Sequence, residues 1–108
     1  MPFASKQHTI LLIQPLERLD SRTYSDYENM SECMDGICKI FEEHLKKLNP
    51  SSSTITYDVS QLFDFIDDLP DLGVLTQNYQ MSNMYIPEGK DWVKKQLFDN
   101  LRQQAYKQ

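Results

Sequence analysis

Residues 8–14, with the sequence HTILLIQ, set the strongest limit on the fold. Their apolar and β-branched side chains predict a strand. Because successive side chains of a strand point to opposite faces, Ile10 and Leu12 share one face, and Leu11 and Ile13 share the other. Both faces are apolar, so both need to be covered. A chain of 108 residues builds one core and can cover one face with its own helices. We therefore expect a partner chain on the other face.

The longest predicted element is an amphipathic helix that ends at Leu48, before Asn49 and Pro50. Residues 25–28 (SDYE) fit a capping box, with Ser25 as the N-cap. One stripe of this helix is apolar at helical spacing. The stripe contains Tyr27, Met30, Cys33, Met34, Ile37, Cys38, Phe41, Leu45 and Leu48.

The rest of the chain alternates short strands with helices. The predicted elements are a strand at 54–59, a helix at 61–69 capped by Ser60, strands at 74–76 and 84–86 joined by 77–83, and a helix at 92–104 capped by Asp91. The predicted order is β-α-β-α-β-β-α. We expect an α+β domain at residues 8–105, with a four-stranded antiparallel sheet and three helices on one face. Residues 1–7 are predicted to be a flexible extension, and residues 106–108 a tail.

The charge of the chain argues against direct binding to nucleic acid. Sixteen acidic residues outnumber eleven basic ones, giving a net charge of −5, whereas phosphate backbones attract lysine and arginine clusters. The start of the chain lacks the apolar core of a signal peptide. Cys33 and Cys38 are thus expected to be reduced thiols in a cytosolic or nuclear protein.

No pattern in the sequence assembles a catalytic, metal or cofactor site. Asp64, Asp67, Asp68 and Asp71 have helical spacing and lack the glycine turn of a calcium loop. A solvated face with capping roles is favoured there over docking of a basic partner segment. The two histidines, His8 and His44, belong to no metal-ligand spacing. Cys33 and Cys38 lie five apart on one helix, which suits neither a disulfide nor a redox pair, and are expected to be small buried apolar groups.

Thr23 is a candidate phosphorylation site. It stands three residues before Asp26, a spacing that an acidophilic kinase can use. In the predicted structure, a phosphate on Thr23 would lie just before the N-terminus of the long helix, where negative charge is stabilised.

Several blocks of the sequence together resemble the enhancer of rudimentary homologue family. The opening strand HTILLIQP, the segments RTY and DYE, and the helical segments ECMDGICK and EEHLK are similar to the family pattern. ITYD followed by SQLFDFIDDL is the most specific block, and KDW opens the last helix as in the family. The similarity runs from His8 to about Ala105.

The resemblance implies a homodimer in which the open faces of two sheets pack together. It also implies a non-enzymatic adaptor, without cofactors, that binds short segments of larger proteins in RNA-processing or small-RNA and gene-silencing complexes. The implied location is the nucleus, with the cytoplasm as an alternative. A small α+β module that binds RNA directly is the alternative function, which the acidic charge disfavours.

Three departures from the family pattern indicate a specialised paralogue with its own partners. These are the extension at residues 2–7, a third strand that residues 76–78 (TQN) make more polar than in the family, and a slightly longer hairpin up to Tyr85. The predicted dimer interface contains His8, Ile10, Leu12 and Tyr57, with the hairpin strands. Predicted partner-binding positions are the side chains near Tyr27, Met30 and Phe41, which we expect to be exposed, and the edges of the sheets.

Overall fold

The computed structural model describes residues 7–78 and 84–106. In chain order its elements are β1 (Thr9–Gln14), β2 (Thr23–Tyr27), α1 (Met30–Leu48), α2 (Val59–Asp68), β3 (Asp71–Asn78), β4 (Met84–Glu88) and α3 (Lys90–Tyr106). A short 3-10 turn, Leu19–Ser21, connects β1 to β2. The predicted α+β class, with a four-stranded antiparallel sheet and three helices, is confirmed.

The predicted opening strand lies at the centre of the sheet. The strand order is β2-β1-β3-β4, and every neighbouring pair is antiparallel. Thr9 of β1 pairs with Tyr27 of β2 on one side and with Thr76 of β3 on the other. β1 therefore has a strand on each side, while β2 and β4 form the edges.

The helices cover one face of this sheet. α1 packs over β1 and β2, α3 packs over β3, and α2 packs against α1 and α3. One apolar core fills the space between the layers. Its most deeply buried members are Leu11, Cys33, Met34, Ile37, Leu62, Ile66, Val74, Val93 and Leu97. The alternate residues of β1 and β3 face away from the helices.

The polar end of the predicted third strand lies partly inside this core. Thr76 is buried and stands opposite the buried Thr9. The Oγ1 atom of Thr9 donates to the carbonyl oxygen of Gln7 at 3.0 Å. The buried hydroxyl therefore has a hydrogen-bond partner.

The sequence prediction is wrong at the start of α1. Residues 23–27 form the edge strand β2, where the capping box at Ser25 was predicted. The helix begins after Asn29, whose side chain accepts from the backbone N–H of Glu32 at 2.9 Å. Asn29 satisfies a free N–H of the first helical turn, so it takes the role predicted for Ser25.

The strand predicted at residues 54–59 is also wrong. Residues 54–58 have no regular secondary structure, and α2 begins at Val59. Asp58 caps this helix, in place of the predicted Ser60. Its side chain accepts from the backbone N–H of Gln61, and the Gln61 side chain accepts from the Asp58 N–H. This reciprocal capping box fixes the start of α2.

The last predicted elements are present, with longer bounds. β3 and β4 extend beyond the predicted strands, and α3 begins at Lys90. Val93 and Leu97 face the core as predicted, whereas Phe98 is exposed. Residues 79–83 of the predicted hairpin connection lie outside the described residues, as do residues 1–6 and 107–108 of the predicted extension and tail.

Candidate functional site

The face of the sheet that turns away from the helices presents apolar side chains that no element of the described chain covers. We call it the open face. The pairing register brings Leu12 next to Tyr24 of β2, and Ile10 next to Leu75 of β3. Leu12 is 40% exposed and Tyr24 is 75% exposed, while Ile10 and Leu75 are half-buried. Pro87 pairs with Leu75 and extends the surface onto β4.

Polar side chains border the open face at one end. The Nδ1 atom of His8 lies 2.8 Å from the Tyr85 hydroxyl, and its Nε2 atom lies 3.5 Å from a carboxylate oxygen of Asp26. The backbone N–H of Gln77 donates to the His8 carbonyl. The imidazole thus connects β2, β1 and β4 across the sheet and fixes the side chains at this end.

Three of the four predicted dimer residues lie together on or beside the open face. These are His8, Ile10 and Leu12. Tyr57 is far from them, because it precedes α2 and packs on the helix layer. Its ring lies edge-on to that of Phe41, with centroids 4.9 Å apart, and its hydroxyl donates to a Glu42 carboxylate oxygen at 2.8 Å. Burial is the main cause that raises the pKa of this hydroxyl, and the hydrogen bond to Glu42 adds to it.

Phe41 was predicted to be an exposed partner-binding side chain, and the prediction of its exposure is wrong. It is only 3% exposed and contacts the rings of Tyr57 and Phe65. Tyr27 and Met30 are half-buried. Tyr27 packs against Gly36 of α1, where a Cβ atom would lie 2.7 Å from the Tyr27 Cζ atom. The glycine therefore allows β2 and α1 to approach closely.

Thr23 is exposed, as a modification site requires, but its surroundings differ from the prediction. It begins the edge strand β2 and pairs with Ile13 of β1. The N-terminus of α1 lies beyond the far end of that strand. A phosphate on Thr23 would therefore not lie at a helix N-terminus, contrary to the prediction, although the exposed hydroxyl remains a candidate site.

The acidic residues around α2 divide into two groups. Asp67 accepts from the Nζ atom of Lys94 at 2.8 Å, and Lys90 donates to the backbone carbonyl oxygens of Asp67 and Leu69. These contacts join α2 to α3 and satisfy the C-terminal carbonyls of α2. Asp64 and Asp68 are exposed, and no side chain of the described residues forms an ion pair with them.

The two cysteines are free and buried, as predicted. Burial raises the pKa of the Cys33 thiol to about 12 and raises that of Cys38 in the same direction. A thiol held in its protonated form is a poor nucleophile and a poor metal ligand. Within residues 7–78 and 84–106, no group of histidine, cysteine and carboxylate side chains is placed to hold a metal ion. No helix in these ranges has the length and apolar character to cross a membrane.

The contribution of β2 to the open face was not predicted from the sequence. The hairpin strands were predicted to join the interface, and Tyr85 lies on one of them, whereas Tyr24 and Asp26 were not among the predicted interface residues. Their signal lay in strand periodicity: once residues 23–27 are identified as a strand, Tyr24 and Asp26 fall on one face.

Comparison with known proteins places the chain in a family. Residues 5–107 match the family model described as "Enhancer of rudimentary". The chain is 58% identical to "Protein enhancer of rudimentary" of Drosophila virilis over 92% of this chain and 94% of that protein. It is 50% identical to "Enhancer of rudimentary homolog" of Caenorhabditis elegans over 84% and 87% of the two chains. It is 40% identical to the Arabidopsis thaliana homolog over 94% and 92%. A match over nearly the whole length of each chain confirms the resemblance, and the protein belongs to the enhancer of rudimentary family.

Proposed function

We propose that this protein is a homodimeric adaptor without enzymatic activity, which binds short segments of partner proteins in RNA-processing or small-RNA and gene-silencing complexes. The open face is the observation that carries the proposal. It exposes Leu12, Tyr24 and Pro87 on a sheet whose helices pack on the other face. An apolar surface of this kind on a small domain is typical of an interaction site.

A second copy of the chain is the proposed occupant of the open face. Two identical sheets can pack face to face about a two-fold axis, because each presents the same surface to the other. Ile10 and Leu12 lie in the central strand of the sheet and so would lie in the middle of the interface. His8 and Asp26 would lie toward its edge, where charged and polar groups remain in contact with water.

The chemistry of the side chains supports a binding role. His8 lies beside the open face, whereas His44 contacts Phe41 and Phe65 of the helix layer, so the two histidines serve no common site. The cysteine thiols are buried with raised pKa values. These residues therefore do not supply a converged nucleophile and base.

The RNA pathway and the nuclear location in this proposal derive from the family resemblance. The net charge of −5 supports a route to RNA through a partner protein, because an acidic surface repels phosphates. A filter-binding assay with single-stranded RNA at low salt separates this proposal from direct RNA binding. We expect no retention of RNA, and saturable retention at low salt would favour the alternative.

Sizing by light scattering tests the dimer. We expect the mass of two chains for the natural protein. Ile10→Arg and Leu12→Arg would each bury an unpaired charge in the proposed interface, at a cost of several kcal/mol (order of magnitude). Both variants should therefore be monomers or aggregates.

Leu19→Arg is the matched control. Leu19 is 66% exposed in the 3-10 turn that connects β1 to β2, outside the strands of the sheet, so this variant should keep the mass of two chains. A double variant with arginine at both Ile10 and Leu12 that retained the natural mass would refute the proposed interface.

A further inference from the structure

A groove runs along the helix layer, on the opposite side of the molecule from the open face. One cavity of about 470 Å³ lies between α1 and α2, and a second of about 340 Å³ adjoins it near the end of β1. Both cavities are lined by Pro15, His44, Phe65 and Leu69, so they form one continuous depression. We call this depression the helix groove.

The floor of the helix groove is aromatic and apolar. The His44 ring is exposed and lies 5.1 Å from the Phe65 ring and 6.5 Å from the Phe41 ring, measured between centroids. Leu16, at the β1 end, is 51% exposed. Large apolar side chains from a partner can stack on such a floor, and this contact removes apolar surface from water.

The α2 wall of the helix groove is acidic. Asp64 and Asp68 are four residues apart on α2, so they lie on the same side of the helix, and both line the groove. Neither forms an ion pair within the described parts of the chain, whereas the neighbouring Asp67 is bound by Lys94. The α1 side contributes Glu43 and a single lysine, Lys47. The groove therefore combines an apolar floor with excess negative charge.

We propose that the helix groove binds a short partner segment in which large apolar side chains lie next to lysine or arginine. The inference rests on the proposed adaptor function and names the chemistry of the segment. Charge complementarity selects this occupant, because a basic side chain beside the α2 wall neutralises two unpaired carboxylates. The groove and the open face lie on opposite sides of the sheet, so a dimer offers two equivalent grooves that remain accessible.

Selection from a random peptide library displayed on phage tests the chemistry of the segment. The full-length natural protein is the target. We expect the enriched peptides to combine phenylalanine, tryptophan, leucine or methionine with lysine or arginine. Enrichment of acidic or uncharged peptides, or no enrichment, would overturn the proposal.

Charge reversal tests the location. A dye-labelled synthetic copy of the most enriched peptide is titrated with the natural protein and with the double variant Asp64→Lys/Asp68→Lys. Binding is followed by fluorescence anisotropy. We expect the Kd to rise about tenfold or more, and the salt dependence of binding to weaken. Asp64→Asn/Asp68→Asn removes the charges with less disturbance and should weaken binding to a smaller extent.

Asp20→Lys/Glu28→Lys is the matched control, since it changes the net charge equally at exposed carboxylates outside the groove. It should change the Kd by no more than about twofold. Equal weakening by both pairs would show an effect of net charge only and would overturn the site. Thermal unfolding of each variant verifies that it is folded.

Amide chemical-shift mapping separates the failure of this inference from that of the adaptor proposal. We expect peptide-induced shifts at His44, Gln61 and Phe65. Shifts confined to Ile10 and Leu75 would place the peptide on the open face, which overturns the groove but keeps a peptide-binding function. Light scattering should give the same mass for the natural protein and the groove variants. A monomeric natural protein that still bound the peptide in the groove would refute the dimer alone.

Discussion

Leu11 and Leu12 are adjacent in the chain and have the same side chain, yet they lie in opposite surroundings. Leu11 is 1% exposed beneath the helices, and Leu12 is 40% exposed on the open face. On the covered face, stability comes from packing within one chain. On the open face, the same kind of side chain remains available for packing between chains. The difference shows that strand periodicity alone gives neighbouring side chains of β1 opposite surroundings.

Truncating these two leucines should give the largest contrast. Leu11→Ala leaves a cavity in the core and should lower the free energy of unfolding by about 3 kcal/mol. Leu12→Ala should cost about 1 kcal/mol, since the side chain is partly exposed in the single chain. Urea unfolding followed by circular dichroism measures both.

Protein concentration sharpens this comparison. The cost of Leu12→Ala should grow with protein concentration, because it acts on the proposed dimer, while that of Leu11→Ala should stay constant. If Leu12→Ala at high dilution were as destabilising as Leu11→Ala, the two faces would not be energetically distinct.

A smaller effect is expected where β2 meets the helix layer. Gly36→Ala places a methyl group 2.7 Å from the Tyr27 Cζ atom, so the ring or the helix must move. Overpacking should exceed the gain in helix propensity and lower the free energy of unfolding by about 1 kcal/mol. Thermal and urea unfolding measure this change.

Gly89→Ala provides the comparison, because a Cβ atom at Gly89 meets no neighbour within 4 Å. It should change the free energy of unfolding by less than about 0.5 kcal/mol. A neutral Gly36→Ala would mean that the covered face is packed less closely near β2 than near β1.

The buried thiols of the covered face should make the free energy of unfolding depend on pH. An unfolded cysteine loses its proton near pH 9, while Cys33 in the folded chain holds it to about pH 12. Unfolding in this window therefore releases a proton, and stability falls as pH rises. The slope per thiol is at most about 1.4 kcal/mol per pH unit.

Urea unfolding of the natural protein and of Cys33→Ala, at several pH values up to pH 10, tests this dependence. The variant should be less stable than the natural protein at neutral pH. Its free energy of unfolding should fall less steeply with pH above pH 9. Cys38→Ala should behave in the same way, since burial raises the pKa of that thiol too. Parallel curves for all three proteins would contradict the assignment.

The sequence allowed prediction of the elements whose side chains have a clear period. The two-sided apolar strand became β1, and the stripe from Met30 onward became α1, with Cys33, Met34, Ile37 and Cys38 buried as expected. In both cases burial of the apolar side chains and local periodicity favour the same structure.

The errors fell where two local patterns compete. Residues 25–28 and 58–61 both fit a capping box, and only the second forms one. Asn29 competes as a cap in the first case. The polar edge strand β2 is defined by its pairing with β1, which local sequence does not reveal.

The position of Tyr57 was also not predictable from local sequence. Its β-branched neighbours Ile55 and Thr56 suggested a strand, and Tyr57 was predicted to join the dimer interface. In the structure, the Tyr57 side chain packs on α1 and bonds to Glu42. A contact with a residue of a distant helix decides its position, and no local pattern encodes that contact.

The central position of β1 also has a kinetic consequence. Its pairing with β2 closes a short hairpin, whereas its pairing with β3 joins Thr9 to Thr76. During synthesis the hairpin can form early, but its second partner emerges only after both α1 and α2. Closing such a long loop is entropically costly and slow. We therefore expect the apolar strand β1 to remain without its second partner strand until most of the chain has been synthesised.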